Sequence, residues 1–469
     1  MMNFSMPFAF NHLLLVSLSL WHASSLMVCK AQDDPTMDEV ELTAVYEVLE
    51  AINDEIGWKV LFPGNLCTGG PHGIVCDVYD NKWHVVELNL GWVSDYGNNP
   101  PCGDHATIHS SIRKFSHLKK LFFYKCFVNS FQFLPAELAA LGGTLKHLTF
   151  QNNPGLIGTI PTELAHLVKL ERLVMIDNGL EGSIPSELSD LKSLQQLVLS
   201  GNKLSGRIPK CIGNLQNLKV LDLNRNFLRG EIPPSLGFLS NLQKLDLSYN
   251  DLQESIPETF GNLQVLEFLD LSFNSFTGYL PDTFRHMTNI RNLLLHSNKL
   301  GGQLPDLWGN MSKLNSLKLS DSNYEGSIPA SIGSLNRLLF LALDNNKFSG
   351  NLPVQLGELK NLYHVNLSSN LLSGRIPFSQ AFLNRLGRNL ILDNNLNLCS
   401  EYAFEGMGAM GVTLCWEGMS SSLHQLGTLN NGTSHETNGA QLKSSAEQKF
   451  RPVAKSFVLV ILALLAVYI

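Results

Sequence analysis

A single proline column constrains this chain more than any other feature. Pro161, Pro185, Pro209, Pro233, Pro257, Pro281, Pro305, Pro329, Pro353 and Pro377 recur every 24 residues without a slip. Around each of them the chain reads approximately LxxLxxLxLxxNxLxGxIPxxLGxL, as it does from Leu215 to Pro233. In the LxL step the two-residue alternation of a strand sends both leucines to one side. One unit cannot bury that side alone, so neighbouring units must stack and share a continuous core. Asn178, Asn202, Asn226, Asn250, Asn274, Asn298, Asn346 and Asn370 follow the strand, where an amide side chain can pair with backbone groups that stacking would otherwise bury unsatisfied. Gly182, Gly206, Gly230, Gly278, Gly302, Gly326, Gly350 and Gly374 mark a tight turn, and proline fixes φ a few residues later. Ser322 interrupts the asparagine column, Cys126 stands at its opening, and Glu254 replaces one of the glycines.

A 24-residue period of this kind is a leucine-rich repeat, and it predicts an α/β solenoid of about 12 coils. At about 4.7 Å between strands its inner sheet would run on the order of 55 Å, a surface for a peptide or protein. Val85 to Leu90 and Leu118 to Cys126 read as irregular first coils separated by an insertion from Trp92 to Ile112. Ahead of them, Met37 to Ile56 places Leu42, Val45, Leu49 and Ile52 on one helical face, which can cap the first coil.

The expected organisation is a signal peptide over 1–31, an N-terminal cap over 32–84 and repeats over 85–395. A C-terminal cap over 396–415, a polar stalk over 416–446 and a C-terminal attachment signal over 447–469 complete it. The leader rests on the apolar run Leu13 to Leu20 and on small residues before a cleavage point at Ala31. The tail Phe457 to Ile469 is apolar throughout, yet as a helix it would span only about 20 Å of a hydrocarbon core about 30 Å thick. Small residues at Ser444 to Ala446 and a polar spacer from Glu447 to Lys455 match a glycosylphosphatidylinositol signal, with Ser444 as the attachment site and Asn438 as the second choice. A short single-pass helix is the competing reading, and Lys449, Arg451 and Lys455 on its N-terminal flank argue against it. Either way the plasma membrane's outer face is the expected location, with a lipid anchor as the membrane contact.

Hydrophobic residues make up 44% and charged residues 16%, enough for a packed core. A formal charge of −7 and the lack of a basic run leave no electrostatic footprint for nucleic acid. Cys67 and Cys76 before the repeats, and Cys399 and Cys415 after them, are placed to staple the solenoid's ends in an oxidising compartment. Two readings of Cys126 stay open, a pair with Cys102 or a free thiol in the buried column; Cys211 is expected to be unpaired. Asn310, Asn366 and Asn431 open N-glycosylation sequons.

Residues between the strand leucines face the concave side. The candidate ligand-binding set there is Asp222, Asn224, Arg225, Lys244, Asp246, Tyr249, Phe268, Asp270, Phe273, Asn292 and His296, in which aromatic and arginine anchors are the types that carry binding energy. The irregular first coils and a lateral face are the alternatives, and stacked LDLSxN segments also serve simply as solenoid strands. A glycan on Asn366 would block the C-terminal end of this face. Gly406, Gly408 and Gly411 form a GxGxxG string inside the C-terminal cap, outside the strand–helix context that nucleotide binding needs. No hydrolase, metalloprotease or kinase signature is present, and His296 and His364 lack ligand-spaced companions. A binding protein without catalytic residues, cofactor or metal is therefore expected.

Trp58, Cys67, Gly-Ile-Val-Cys76 and the repeated LxGxIP make the chain resemble plant extracellular leucine-rich-repeat proteins from about Met37 to Cys415. The resemblance implies cell-surface perception of a microbial or endogenous signal through a peptide, protein or glycan ligand. Without a kinase in the chain, it also implies a transmembrane receptor kinase as partner, with this protein as co-receptor or adaptor. Resemblance to short repeat inhibitors of secreted microbial hydrolases gives a second reading, and a passive scaffold a third. An inhibitor free in solution has no use for the apolar tail, whereas a surface co-receptor needs a tether.

Overall fold

The computed structural model describes residues 35–91, 99–395 and 397–415. The expected leader, the expected stalk with Asn431, Asn438 and Ser444, and the expected attachment signal lie outside the described residues.

Each coil begins on a short strand of the inner sheet. The inward leucines of one strand, Leu221 and Leu223, are 0% and 1% exposed, and the same columns stay buried along the array. Together the strands make a 15-stranded sheet, parallel throughout except where Ile74–Tyr79 runs antiparallel to Lys82–Leu90. The irregular segments expected as first coils, Lys82–Leu90 and Lys120–Tyr124, belong to this sheet and pair in register with Leu88 beside Leu121.

After most of the strands the chain reverses through a left-handed residue and then an asparagine, with Cys126 and Ser322 in the asparagine's place after Lys125 and Asp321. Arg225, Tyr249 and Phe273 hold φ of 52°, 54° and 53° in that slot, a conformation side chains other than glycine and asparagine rarely adopt. It persists because the following asparagine locks it. Asn226 Nδ2 donates to the carbonyls of Leu199, Leu223 and Asn224 at 2.9, 3.1 and 3.2 Å, and its Oδ1 accepts from Leu204 N–H at 3.0 Å. The column is longer than the 24-residue phase indicates. Asn153 accepts from Cys126 and Phe127 N–H groups, and Asn395 from Leu372 N–H, extending it by a coil at each end.

A second, lateral layer follows. Gly206 and Gly230 take φ of +82° and +81° there, and Glu254 is forced to +67° in the equivalent place. This layer consists of two six-stranded sheets, one ending at Asp251–Leu252 and the other starting at Gly301–Gln303. The interruption falls on the coil that follows Glu254. Prolines then cap single-turn 3₁₀ helices, as Pro185 and Pro209 do at φ −62° and −61°, where the fixed ring geometry suits the entry.

At the N-terminal end, the helix Glu39–Ile52 covers the first coil with Ala44, Val45, Val48, Leu49 and Ile52. It is shorter than the apolar spacing suggested. Asp38 starts it by accepting from Val40 and Glu41 N–H groups, and Asn53 leaves the helical region at φ −160°. Disulfides join Cys67 to Cys76, Cys102 to Cys126 and Cys399 to Cys415, and Cys211 is a free thiol. The free-thiol alternative for Cys126 is thereby removed. Among the described residues no helix is long and apolar enough to cross a membrane.

Candidate functional site

Parallel pairing of the middle strands turns sequence columns into rows across the concave face. Lys244, Phe268 and Asn292 stand side by side in one row, and Asp222, Asp246 and Asp270 in the next. Beyond them, Arg225, Tyr249 and Phe273 occupy successive left-handed slots. The eleven candidate residues thus come from four successive strands and the turns that follow them, and most fall into two groups with different roles.

The acidic row is largely consumed by its own neighbours. Asp222 and Asp246 are buried, and Lys244 Nζ lies 2.7 Å from Asp222 and 4.0 Å from Asp246. Asn224 Nδ2 donates to Asp222 at 2.6 Å and to Asp246 at 3.3 Å, while the Ser248 and Ser272 hydroxyls donate to Asp246 and Asp270. Burial, followed by repulsion from Asp222 and Asp270, pushes the Asp246 carboxyl up to about 7. Burial raises Asp270 as well, although Ser272 opposes it. For Lys244, burial works against the charge, but the Asp222 and Asp246 carboxylates outweigh it and hold the ammonium above its ordinary value. Its Nζ also sits 5.5 Å above the Phe268 ring.

The aromatic group is the accessible one. Tyr249 and Phe273 are 46% and 40% exposed and stack at 4.1 Å, only 14° from parallel. The Arg225 guanidinium lies 5.7 Å over the Tyr249 ring, and His296 meets Phe273 edge-on at 5.2 Å. Burial, with Lys318 adding to it, pushes His296 down to about 4, so it is a neutral imidazole at physiological pH, and its buried Nδ1 has no hydrogen-bond partner. These four side chains form a continuous stripe across four coils. Stacked rings and a guanidinium present broad contact area with few torsions left to freeze, the usual composition of a binding hot spot.

Asn366 projects onto the same sheet further along, beside Ala342, where its Oδ1 accepts from Ser368. Asn310 is exposed on the opposite return segment. Near the first coils, a recess of about 350 Å³ is lined by Ile108, Arg113, Gln132, Phe133 and Glu137. Gly406 and Gly411 adopt φ of +82° and +71° in the turns between Cys399 and Cys415.

Stacked LxL strands, an asparagine column and proline-capped return turns define a leucine-rich-repeat solenoid of the kind that forms plant receptor ectodomains. A leucine rich repeat family model matches residues 192–252 and 240–300. The chain is 36% identical over 175 residues to Piriformospora indica-insensitive protein 2 of Arabidopsis thaliana, covering 36% of this chain and 41% of that protein. It is 38% identical over 133 residues to Protein TOO MANY MOUTHS of the same species, covering 28% and 26% respectively. The aligned stretches therefore span less than half the length of these curated relatives. Among solved structures, the Arabidopsis receptor kinase HAESA, in complex with the peptide hormone IDA and the co-receptor SERK1, superposes with a TM-score of 0.61 and 27% identity over 80% of this chain and 65% of that one.

Proposed function

We propose that this protein is a ligand-binding, receptor-like protein of the plant cell surface that works as a co-receptor or adaptor for a transmembrane receptor kinase, in perception of a microbial or endogenous signal. The observation that carries the reading is the exposed Arg225–Tyr249–Phe273 stripe, closed at one end by the half-buried His296, on the concave side. An extended peptide or a flat protein segment lying along the solenoid axis would cover several coils at once and stack on this stripe. The hydrogen-bonded aspartate row in the adjoining strands supplies a rigid polar border. The HAESA complex, which holds a peptide hormone and a co-receptor, supports the same use of the fold here.

The test is co-immunoprecipitation of receptor kinases with the full-length protein from microbe-challenged plant membranes, followed by affinity measurement on the captured partner or peptide. Tyr249→Ala combined with Phe273→Ala is expected to weaken binding by about 30-fold or more, the scale of one to two hot-spot side chains. Unchanged affinity in the double variant would move the site off the concave face.

The proposal includes a lipid anchor at Ser444, which the small-residue site, spacer and short apolar tail support. Phosphatidylinositol-specific phospholipase C acting on intact plant membranes should release most of the protein, with a C-terminal peptide ending near Ser444. Retention of a species that still carries Ile469 would replace the anchor with a membrane-embedded tail.

A further inference from the structure

Beneath the N-terminal cap helix, three segments distant in sequence bring a carboxylate and two imidazoles together. Glu41 is a 1% exposed acidic residue on a helix face otherwise made of aliphatic side chains and Tyr46. Its Oε2 accepts from Val85 N–H at 2.8 Å, which fixes one end of the carboxylate. Its Oε1 accepts from Ser116 N–H at 3.0 Å and lies 3.0 Å from His84 Nδ1. Ser116 Oγ sits between the three groups, 2.8 Å from Glu41 Oε1, 2.8 Å from His117 Nδ1 and 3.4 Å from His84 Nδ1. The His84 and His117 rings are 4.3 Å apart, and Tyr79 stacks on His117 at 4.1 Å. Lys119 in turn donates to the Tyr79 hydroxyl at 2.8 Å, so the outer wall of the cluster is itself held in place.

We infer that Glu41, His84 and His117 form a binding site for a divalent transition-metal cation of the zinc type. One ligand atom from each of the three lies within 4.8 Å of the others. Tetrahedral zinc with bonds of about 2.0–2.1 Å to nitrogen and oxygen holds its ligands roughly 3.3 Å apart, which small side-chain rotations reach from this arrangement. Ser116 Oγ or a water completes the fourth position. Two imidazoles with one carboxylate select a borderline cation such as zinc over magnesium or calcium, which prefer all-oxygen cages. The hydrogen bonds to Val85 and Ser116 and the Tyr79 stack orient the ligands in advance, the arrangement that sets metal affinity as strongly as the ligands themselves. A cation here would tie the cap helix to the strand Lys82–Leu90 and to the turn entering Lys120–Tyr124, closing the end of the solenoid that the disulfide Cys67–Cys76 also guards. This inference is independent of the concave-face reading.

The experiment uses tag-free, full-length protein secreted from plant cells and dialysed against chelator. Zinc chloride is added during calorimetric titration and thermal unfolding, with magnesium chloride as the control cation. One zinc bound per chain and a raised unfolding temperature are expected with zinc and not with magnesium. His117→Gln, at a partly exposed position, is expected to weaken zinc binding at least tenfold while leaving the metal-free unfolding temperature near that of the native protein; His84→Gln should weaken it similarly. No zinc-specific shift, or equal zinc affinity in native and His117→Gln proteins, overturns the assignment, since His72, His105 and His109 remain in both.

Discussion

Asn226→Ala is expected to lower the stability of the middle coils by about 3–5 kcal/mol, a loss out of proportion to the few atoms removed. The side chain makes four hydrogen bonds that join two consecutive coils, reaching back to the Leu199 carbonyl and accepting from Leu204 N–H of the preceding coil while bonding the Leu223 and Asn224 carbonyls of its own. Leu199 and Leu204 are both fully buried, so truncation strands backbone groups where no water reaches, and each such group costs about 1–3 kcal/mol. Loss of the lock also frees Arg225 from its left-handed backbone, which adds to the effect. The opposite experiment lies in the same chain. Ser322 stands in this column with only a 3.3 Å bond to the Ser320 carbonyl. Ser322→Asn should regain the reach of its neighbour Asn346, which bonds the Leu319 and Leu343 carbonyls and Tyr324 N–H, and stabilise the array by about 1–2 kcal/mol. Equilibrium urea unfolding of the three proteins decides the matter. A loss below about 1 kcal/mol for Asn226→Ala would mean that the column tolerates gaps and that leucine packing alone sets the coil.

This column also shows what a sequence of this type discloses. Ten prolines in phase, LxL strands and the glycine turns fix the solenoid, because each of those residues acts within its own coil or on the next. Where the spacing changes to 25 residues, at Asn153 and Asn395, a strict 24-residue template passes over side chains that bond as their neighbours do. Alternation correctly aims Asp222, Asp246 and Asp270 at the concave side, but it does not reveal that Lys244 and Asn224 from adjoining positions already satisfy them. Exposure therefore moves the candidate surface toward Arg225, Tyr249 and Phe273. The end of the cap helix at Ile52 depends on Asn53 adopting extended backbone, which helical spacing does not encode. Least legible is the Glu41, His84 and His117 cluster: Glu41 and His84 are 43 residues apart and Ser116 a further step away, with no spacing motif to join them. Only the packing of the cap helix against two strands creates it.

The aspartate row leads to the second large effect, a contribution to stability that is lost as the medium turns from mildly acidic to neutral. Asp246 titrates at about 7 in the folded chain against 3.8 for an unperturbed aspartate. A carboxyl whose folded pKa is raised keeps its proton in the native state while the unfolded chain has lost it. The associated stability is fully present below about pH 4 and is lost as pH rises through 7. A shift of about three units corresponds to on the order of 4 kcal/mol, and Asp270, raised in the same sense, adds to it. The groups facing Asp246 explain why its proton is retained. Asp222 and Asp270 flank it from the adjoining strands, and Lys244 has its closer contact with Asp222, at 2.7 Å against 4.0 Å. Lys244, also raised, stays charged across this interval and contributes no slope there. His296, held neutral down to about 4, contributes in the opposite sense, gaining stability as pH rises, and His147 and His364, also lowered by burial, act with it. The aspartate effect is therefore read in denaturant unfolding as a loss of about 3–4 kcal/mol by the native protein relative to Asp246→Asn between pH 4.5 and 7.5. Asp246→Asn, which keeps the shape and removes that titration, should gain stability over this range from the histidines and be more stable than the native chain at pH 7.5. A native profile that runs parallel to that of the variant would show that all three aspartates are ionised together, with Lys244, Asn224 and Ser248 sufficient to hold them. If the slope is present, the floor of the concave face holds a proton in acid and releases it near neutrality.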